Sequence, residues 1–320
     1  SIWLGKVKNM KLEYFAINIL PLLKLHEDNV MEELKLDADA ENYICSILRA
    51  KDNSIWLGKM KNIRLKRLAI NLLPKLRLHE DSEIEEFYLY AESGGDVSGI
   101  LGAGNSSIWL GKVKNLRLNK RAVNLLSKLK LHEDNVMEKF ELYAMKEEYV
   151  SSILGAGNRS IWLGRVKSLR LEGHAANLLP KLKLHEDSEI EELYLCAWGR
   201  EYVSEILGAG DRSIWLGRVK SLRLDSYAIN LLPKLRLHED NVMEWLYLDA
   251  WEREHISEIL VKKDNSIWLR KVKSLTLKGH AVNLLPKLRL HEDSEIEKFY
   301  LDTESGGDVS FILWAKDSSI

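Results

Sequence analysis

Six times the chain carries His-Glu-Asp, first as His26, Glu27 and Asp28 and then at 53-residue intervals to His291, Glu292 and Asp293. These are residue types of general acid–base catalysis and of metal ligation, but their spacing speaks against both. Three consecutive side chains rarely converge on one point. Equivalent histidines in stacked repeats would lie about 9.5 Å apart, two strand spacings, whereas ligands of one ion sit at about 2 Å from it. The motif is therefore expected to be a polar turn in which Asp and the following Asn or Ser bond nearby backbone amides. No glycine-rich phosphate loop, nucleophile elbow or cofactor fingerprint accompanies it. The expectation is a chain without catalytic residues, metal or cofactor.

The turn belongs to a longer unit. Ser1, Ser54, Ser107, Ser160, Ser213 and Ser266 each open "SIWL", so the period is 53 residues without insertion or deletion. The copies are 1–53, 54–106, 107–159, 160–212, 213–265 and 266–318, read as a single repeat array, and Ser319 and Ile320 begin a seventh. Neither end carries an atypical polar repeat, so the array is expected to be a window of a longer one. "NVM" follows the HED in copies one, three and five and "SEI" in copies two, four and six, as though pairs were duplicated together. "ESGGDVS" marks copies two and six. Such uniformity leaves little room for one specialised active site.

Composition agrees with a folded array. Apolar residues are 46% and charged residues 30%, enough for an interior and unlike a disordered chain. Lys and Arg number 47 against 48 Asp and Glu, which leaves no large net field to attract nucleic acid or an anionic membrane. No apolar run approaches the ~20 residues that span a bilayer. Cys45 and Cys196 fall at non-matching points of different copies, against a disulfide framework.

Within copy four, Val166, Leu169 and Leu171 and then Ile190, Leu193 and Leu195 repeat one spacing, VxxLxL and IxxLxL. The LxL step has the period of a strand. Between these strands, "HAANLLPKLKLHEDSE" offers one or two helical or 3₁₀ turns, and "REYVSEILGAGDRS" a short helix through Tyr202, Val203, Ile206 and Leu207, ended by Gly208 and Gly210. Each unit thus contains two coils, of 24 and 29 residues. In these features the sequence resembles leucine-rich repeats, the longer coil being closest to the ribonuclease-inhibitor-like subclass, along the whole chain. The resemblance implies an α/β solenoid, a horseshoe or superhelix, with a parallel β-sheet and short helices on its convex side. It also implies a protein-binding concave sheet. The family's ninth position, Asn or Cys, is His174 or Trp198 here, and an asparagine recurs three residues after the first of these, as Asn177. A further LxL, Leu182 and Leu184, leaves room for a third strand and hence for a three-sided β-solenoid as the alternative fold.

Stacking equivalent residues places Trp3, Trp56, Trp109, Trp162, Trp215 and Trp268 in one expected core column. Arg270 stands where other copies have Gly5, Gly58, Gly111, Gly164 and Gly217, so no required positive φ is expected there. On the exposed face the short-coil strand is basic and the long-coil strand acidic. A charge ladder of Lys61, Glu85, Lys114, Glu138, Lys167, Glu191, Lys220 and Glu244 follows, in which slipping by one coil would set lysine against lysine. Arg64, Arg170 and Arg223 flank rows carrying Tyr88, Tyr194 and Tyr247, suited to cation–π contacts. Tyr88, Tyr143, Tyr194, Trp245, Tyr247 and Tyr300 are the candidate partner-binding residues. The function expected is a non-enzymatic scaffold or filament formed by end-to-end stacking of the chain on itself, or else a module binding another protein.

Overall fold

A computed structural model describes residues 1–303 together with Val309 and Ile312. The "ESGGDVS" of copy six lies almost wholly outside the described residues, and the start of a seventh copy lies entirely outside them. The chain divides into two compact units, residues 1–165 with 181–183, and residues 166–180 with 184–320.

In the first unit the long strands Asn9–Glu13, Val30–Ala38, Lys59–Arg67, Glu83–Ala91, Ile108–Lys120 and Val136–Ala144 lie side by side in chain order, each parallel to the next. In the second, Ile161–Gly173, which begins in the first unit, is followed by Glu189–Ala197, Ile214–Ser226, Trp245–Ala250, Ser274–Gly279 and Lys298–Asp302 in the same manner. Strands form because VxxLxL turns every second side chain to one face. The in-register row Leu34, Ile63, Phe87, Leu116 and Phe140 is buried, as is the next row inward along each strand, Leu36, Leu65, Leu89, Leu118 and Leu142.

Parallel strands require a return, and the returns are short. The short coil turns back through a 3₁₀ segment such as Arg121–Lys128, whose apolar side chains Ala122, Val123, Leu125 and Leu126 are buried. The long coil uses a 3₁₀ turn and one α-turn, Glu147–Tyr149 and Ser151–Leu154 in copy three, then Arg200–Tyr202 and Ser204–Leu207 in copy four. The "LKL" segment is a strand. Leu129–Leu131 pairs parallel with the opening Ile108–Gly111 stretch of its own repeat, and Leu23–Leu25 pairs likewise with Ile2–Gly5. The third strand of the alternative fold is therefore present, although the rest of each return is helical.

Two expectations are corrected. Gly5, Gly58, Gly111, Gly164 and Gly217 have φ between 69° and 85°, and Arg270 takes φ 65° in the same place. The backbone bends there to turn the SIWL strand into the main strand, as the register shift between Trp268 and Arg270 shows, and arginine tolerates it at a cost. At Gly58 the demand is stricter, since a Cβ would press into the Asn29 carbonyl. The tryptophans form no buried column: Trp3 is 64% exposed, and Trp109 and Trp268 are also exposed. Period two explains this, because Ile108 and Leu110 turn inward and the residue between them must turn outward.

Candidate functional site

Three surfaces hold the residues singled out in the sequence. The first is the outer face of the parallel strands. The register pairs next to the ladder are Asn62 with Glu86, Asn115 with Glu86 and Lys139, Ser168 with Glu192, and Ser221 with Glu192 and Trp245, so Lys61, Lys114, Lys167 and Lys220 each adjoin a paired residue on strands neighbouring those of Glu85, Glu138, Glu191 and Glu244. Close ion pairs in this row include Lys8 with Glu32 at 3.9 Å and Lys220 with Glu189 at 3.1 Å. The Lys220 ammonium is held above the usual lysine range, first by its hydrogen bond to Glu189 and then by Glu191 and Glu244. Lys220 thus bonds Glu189, with Glu191 and Glu244 near enough to act on its charge.

The next outward row differs between the units. In the second it reads Arg170, Tyr194, Arg223, Tyr247, Thr276 and Tyr300. Arg170 lies 4.6 Å from the Tyr194 ring centre, and Arg223 lies 5.1 Å from Tyr194 and 4.6 Å from Tyr247. The guanidiniums are also anchored, Arg223 to Asp225 at 2.9 Å and Arg170 to Glu172. The Tyr194 hydroxyl donates to Asp225 at 2.9 Å and that of Tyr247 to Asp249 at 3.0 Å. Burial, with these carboxylates nearby, raises both phenol pKa values, so both remain donors. Burial also pushes the Cys196 thiol up to about 11, which keeps it a protonated, unreactive core group. In the first unit the row reads Lys11, Lys35, Arg64, Tyr88, Arg117 and Glu141. Arg64 there bonds Glu86 at 2.7 Å, with Glu33 at 3.7 Å, in place of a ring contact with Tyr88.

Among the candidate contact residues, Trp245 and Tyr300 are exposed, Tyr88, Tyr143 and Tyr194 are half-buried, and Tyr247 is buried at 9% exposure. Tyr247 is therefore corrected to a packing residue. Arg223 covers its ring, Trp245 meets it edge-on at 5.5 Å, and Lys278 lies 5.7 Å from its centre.

The second surface is a rib that the sequence reading missed. Trp56 stands in register with Arg77, Trp109 with Lys130, Trp215 with Arg236 and Trp268 with Arg289. The cation lies over the indole at 5.4, 5.7, 5.2 and 3.7 Å respectively. The HED histidine closes the group, with ring centres 5.5 Å apart for Trp56 and His79 and 6.0 Å for Trp109 and His132. The signal was available: Trp in the SIWL segment and Lys or Arg in the LKL or LRL segment, 21 residues apart, each stand between two inward apolar residues. Between one rib and the next lie grooves, about 580 Å³ between Trp109 and Trp162 and about 630 Å³ at the equivalent place one repeat earlier.

The third is the HED turn. His Nδ1 accepts the backbone N–H of the Asp two residues on in all six copies, at 3.1 to 3.2 Å. The histidine is thus an acceptor in the turn, a role that the sequence analysis left to the Asp and the following Asn or Ser. The following Asn behaves as expected: Asn29, Asn135 and Asn241 accept from the N–H of Val7, Val113 and Val219, each at 2.7 Å. In copies two and four Ser82 and Ser188 are buried at that position, and their hydroxyls have no partner. No group of three or more His, Cys, Asp or Glu is placed to share a metal ion among the described residues. No helix among them is long and apolar enough to cross a membrane.

The recurring asparagine of the short-coil return ties it to the return of the following long coil. Asn124 Nδ2 donates to the Glu148 carbonyl at 2.9 Å, and its Oδ1 accepts from Ser152 N–H at 3.0 Å. Asn71 does the same with Gly95 and Gly99. No known protein family, curated protein or solved structure matches the chain.

Proposed function

We propose that the chain is a non-enzymatic structural array, a leucine-rich-repeat-like solenoid that forms an extended scaffold or filament by end-to-end stacking of copies. The observation that supports this reading is the uniform parallel pairing of successive coils within each unit, which buries the same positions in each internal copy, Leu57 with Leu110 and Phe87 with Phe140. The two edges are complementary. One presents Lys8 and Lys11, the other Glu297 and Tyr300, so an added coil would continue both the charge ladder and the cation–aromatic row. A contact that repeats without closing makes a filament. Negative-stain electron microscopy and sedimentation across a concentration series test it. Filaments that disappear in a Phe299→Glu variant are the expected result, and a monodisperse monomer at all concentrations would refute it.

A second reading, binding of another protein, is favoured by one feature. Trp245 and Tyr300 are both exposed and flank Thr276, to which the indole N–H donates at 3.3 Å. Exposed aromatic side chains of this type are the usual anchors of protein interfaces.

A further inference from the structure

The tryptophan ribs of the first unit leave polar groups without partners. Arg77, Lys130 and Lys183 lie over Trp56, Trp109 and Trp162 at 5.4, 5.7 and 5.6 Å. All three cations are exposed, and among the described residues none of them is paired with a carboxylate. Two residues before Arg77, by contrast, Lys75 holds Asp52 at 2.7 Å. The indole N–H groups of Trp56 and Trp109 likewise meet no acceptor among the described residues. The free groups beside these rings are therefore donors.

The grooves between the ribs are lined by apolar side chains, Leu126, Leu129 and Ile161 in one and Leu73, Leu76 and Ile108 in the one a repeat earlier. Their spacing decides what fits. Successive repeats lie two strands apart in the parallel sheet, about 9.5 Å. A polyproline II helix turns once in three residues of about 3.1 Å, hence about 9.3 Å per turn. Every third side chain of such a helix falls into step with the grooves, drifting by only about 0.2 Å at each. It has no internal hydrogen bonds, so its carbonyls are free to accept, and its prolines bring no N–H. Aromatic-lined grooves are a general means of holding such segments.

We propose that these ribs bind a proline-rich segment of a partner protein, laid across successive repeats as a polyproline II helix. One proline enters each groove, the indole N–H groups donate to the segment's carbonyls, and an acidic residue between prolines faces Arg77 and Lys130. Charge sets how acidic the segment is: Glu133 shares a groove lining with Lys130, so one carboxylate per turn complements the cations and a polyanion does not. The segment is foreign to the repeat, because all 5 prolines of the chain lie inside 3₁₀ returns. This site does not depend on end-to-end stacking.

Fluorescence anisotropy with the full chain decides the matter, using labelled peptides of about twelve residues, four turns of the helix. A repeat of Pro-Glu-Ala should bind. The same composition with its prolines out of the three-residue period should bind about tenfold more weakly, and Pro-Lys-Ala should also lose affinity. Trp109→Ala with Trp215→Ala leaves no run of more than two ribs, and should weaken Pro-Glu-Ala binding about tenfold with unchanged circular dichroism. Phenylalanine at both positions keeps the rings without the N–H and should lose about threefold. Trp251→Ala, an exposed tryptophan outside the ribs, should change nothing. Equal binding of the out-of-period peptide, undiminished binding by the double alanine variant, or no anisotropy change up to millimolar protein would each overturn the proposal. Binding of a cellulose or chitin oligosaccharide in place of the peptide would overturn it too, in favour of a polysaccharide.

Discussion

Asn124 accepts the backbone N–H of Ser152, 28 residues further on, at 3.0 Å, while the Ser152 hydroxyl returns a second bond to the same Oδ1 at 2.6 Å. The amide also donates to the Glu148 carbonyl, so one buried side chain satisfies a 3₁₀ segment and the first turn of the following α-turn. Asn124→Ala removes these partners together and leaves the backbone groups without a replacement. The expected loss is about 1–3 kcal/mol, read as a lower urea midpoint with an unchanged slope.

Ser226 combines two local penalties. It ends its strand at φ 58°, where a side chain is strained, and its buried hydroxyl has no partner. Copies four and six have Gly173 and Gly279 at the equivalent position, with φ 67° and 55°. Ser226→Gly should therefore stabilise the protein, by about 1–2 kcal/mol, although glycine elsewhere in a strand destabilises. A midpoint that falls would show that the left-handed turn costs nothing here.

The guanidinium of Arg223 lies over both Tyr194 and Tyr247 and bonds Asp225 through Nε and Nη2. Lysine has the charge but neither the plane nor the fork. Arg223→Lys should cost about 1 kcal/mol. In a double-mutant cycle with Tyr194→Leu, a coupling free energy indistinguishable from zero would contradict the stacking.

The ladder around Lys114 makes a salt-dependent prediction. Glu85→Lys with Glu138→Lys sets three lysines side by side, and the melting temperature should drop by roughly 2–4 °C at low salt. Near 1 M salt, where the screening length is about 3 Å, most of that drop should vanish. A drop independent of salt would point to lost packing.

His255 is 4% exposed, packed edge-on against Tyr227 at 4.8 Å. Burial holds its pKa below the ordinary imidazole value; His280 pushes the same way, while Glu252, Glu254 and Asp249 oppose it. The unfolded chain takes up this proton near pH 6.5, before the folded one does. The stability it contributes is complete above that pH and is lost as pH falls through the lower folded value. Chemical unfolding from pH 7.5 down to 5 should show the decline, and His255→Phe should flatten it. Identical slopes in the two proteins would assign the effect to other histidines.

The backbone plan could be read from VxxLxL alone, because a two-residue period fixes which leucines face inward whatever surrounds them. The returns were equally legible from "REYVSEIL" and the glycines that end it. The tryptophan side was not. Stacking of equivalent residues puts Trp109 in a core column, whereas alternation with Ile108 and Leu110 forces it outward. Tyr247 failed in the opposite direction: its strand position is outward, but Arg223, Trp245 and Lys278 cover it, and no single-strand pattern reports what neighbouring strands place on top. Arg270 showed that a residue type permits less inference than the bend it must make. The acceptor role of the HED histidine was hidden because only the turn geometry brings Nδ1 to the amide two residues on.

The asparagines that accept the valine amides, Asn29, Asn135 and Asn241, are spaced 106 residues apart, and Ser82 and Ser188 between them make no such bond. Under tension the protein would thus behave as a chain of rivets set at every second repeat, yielding at the seryl turns. A pulling trace should lengthen in double-repeat increments.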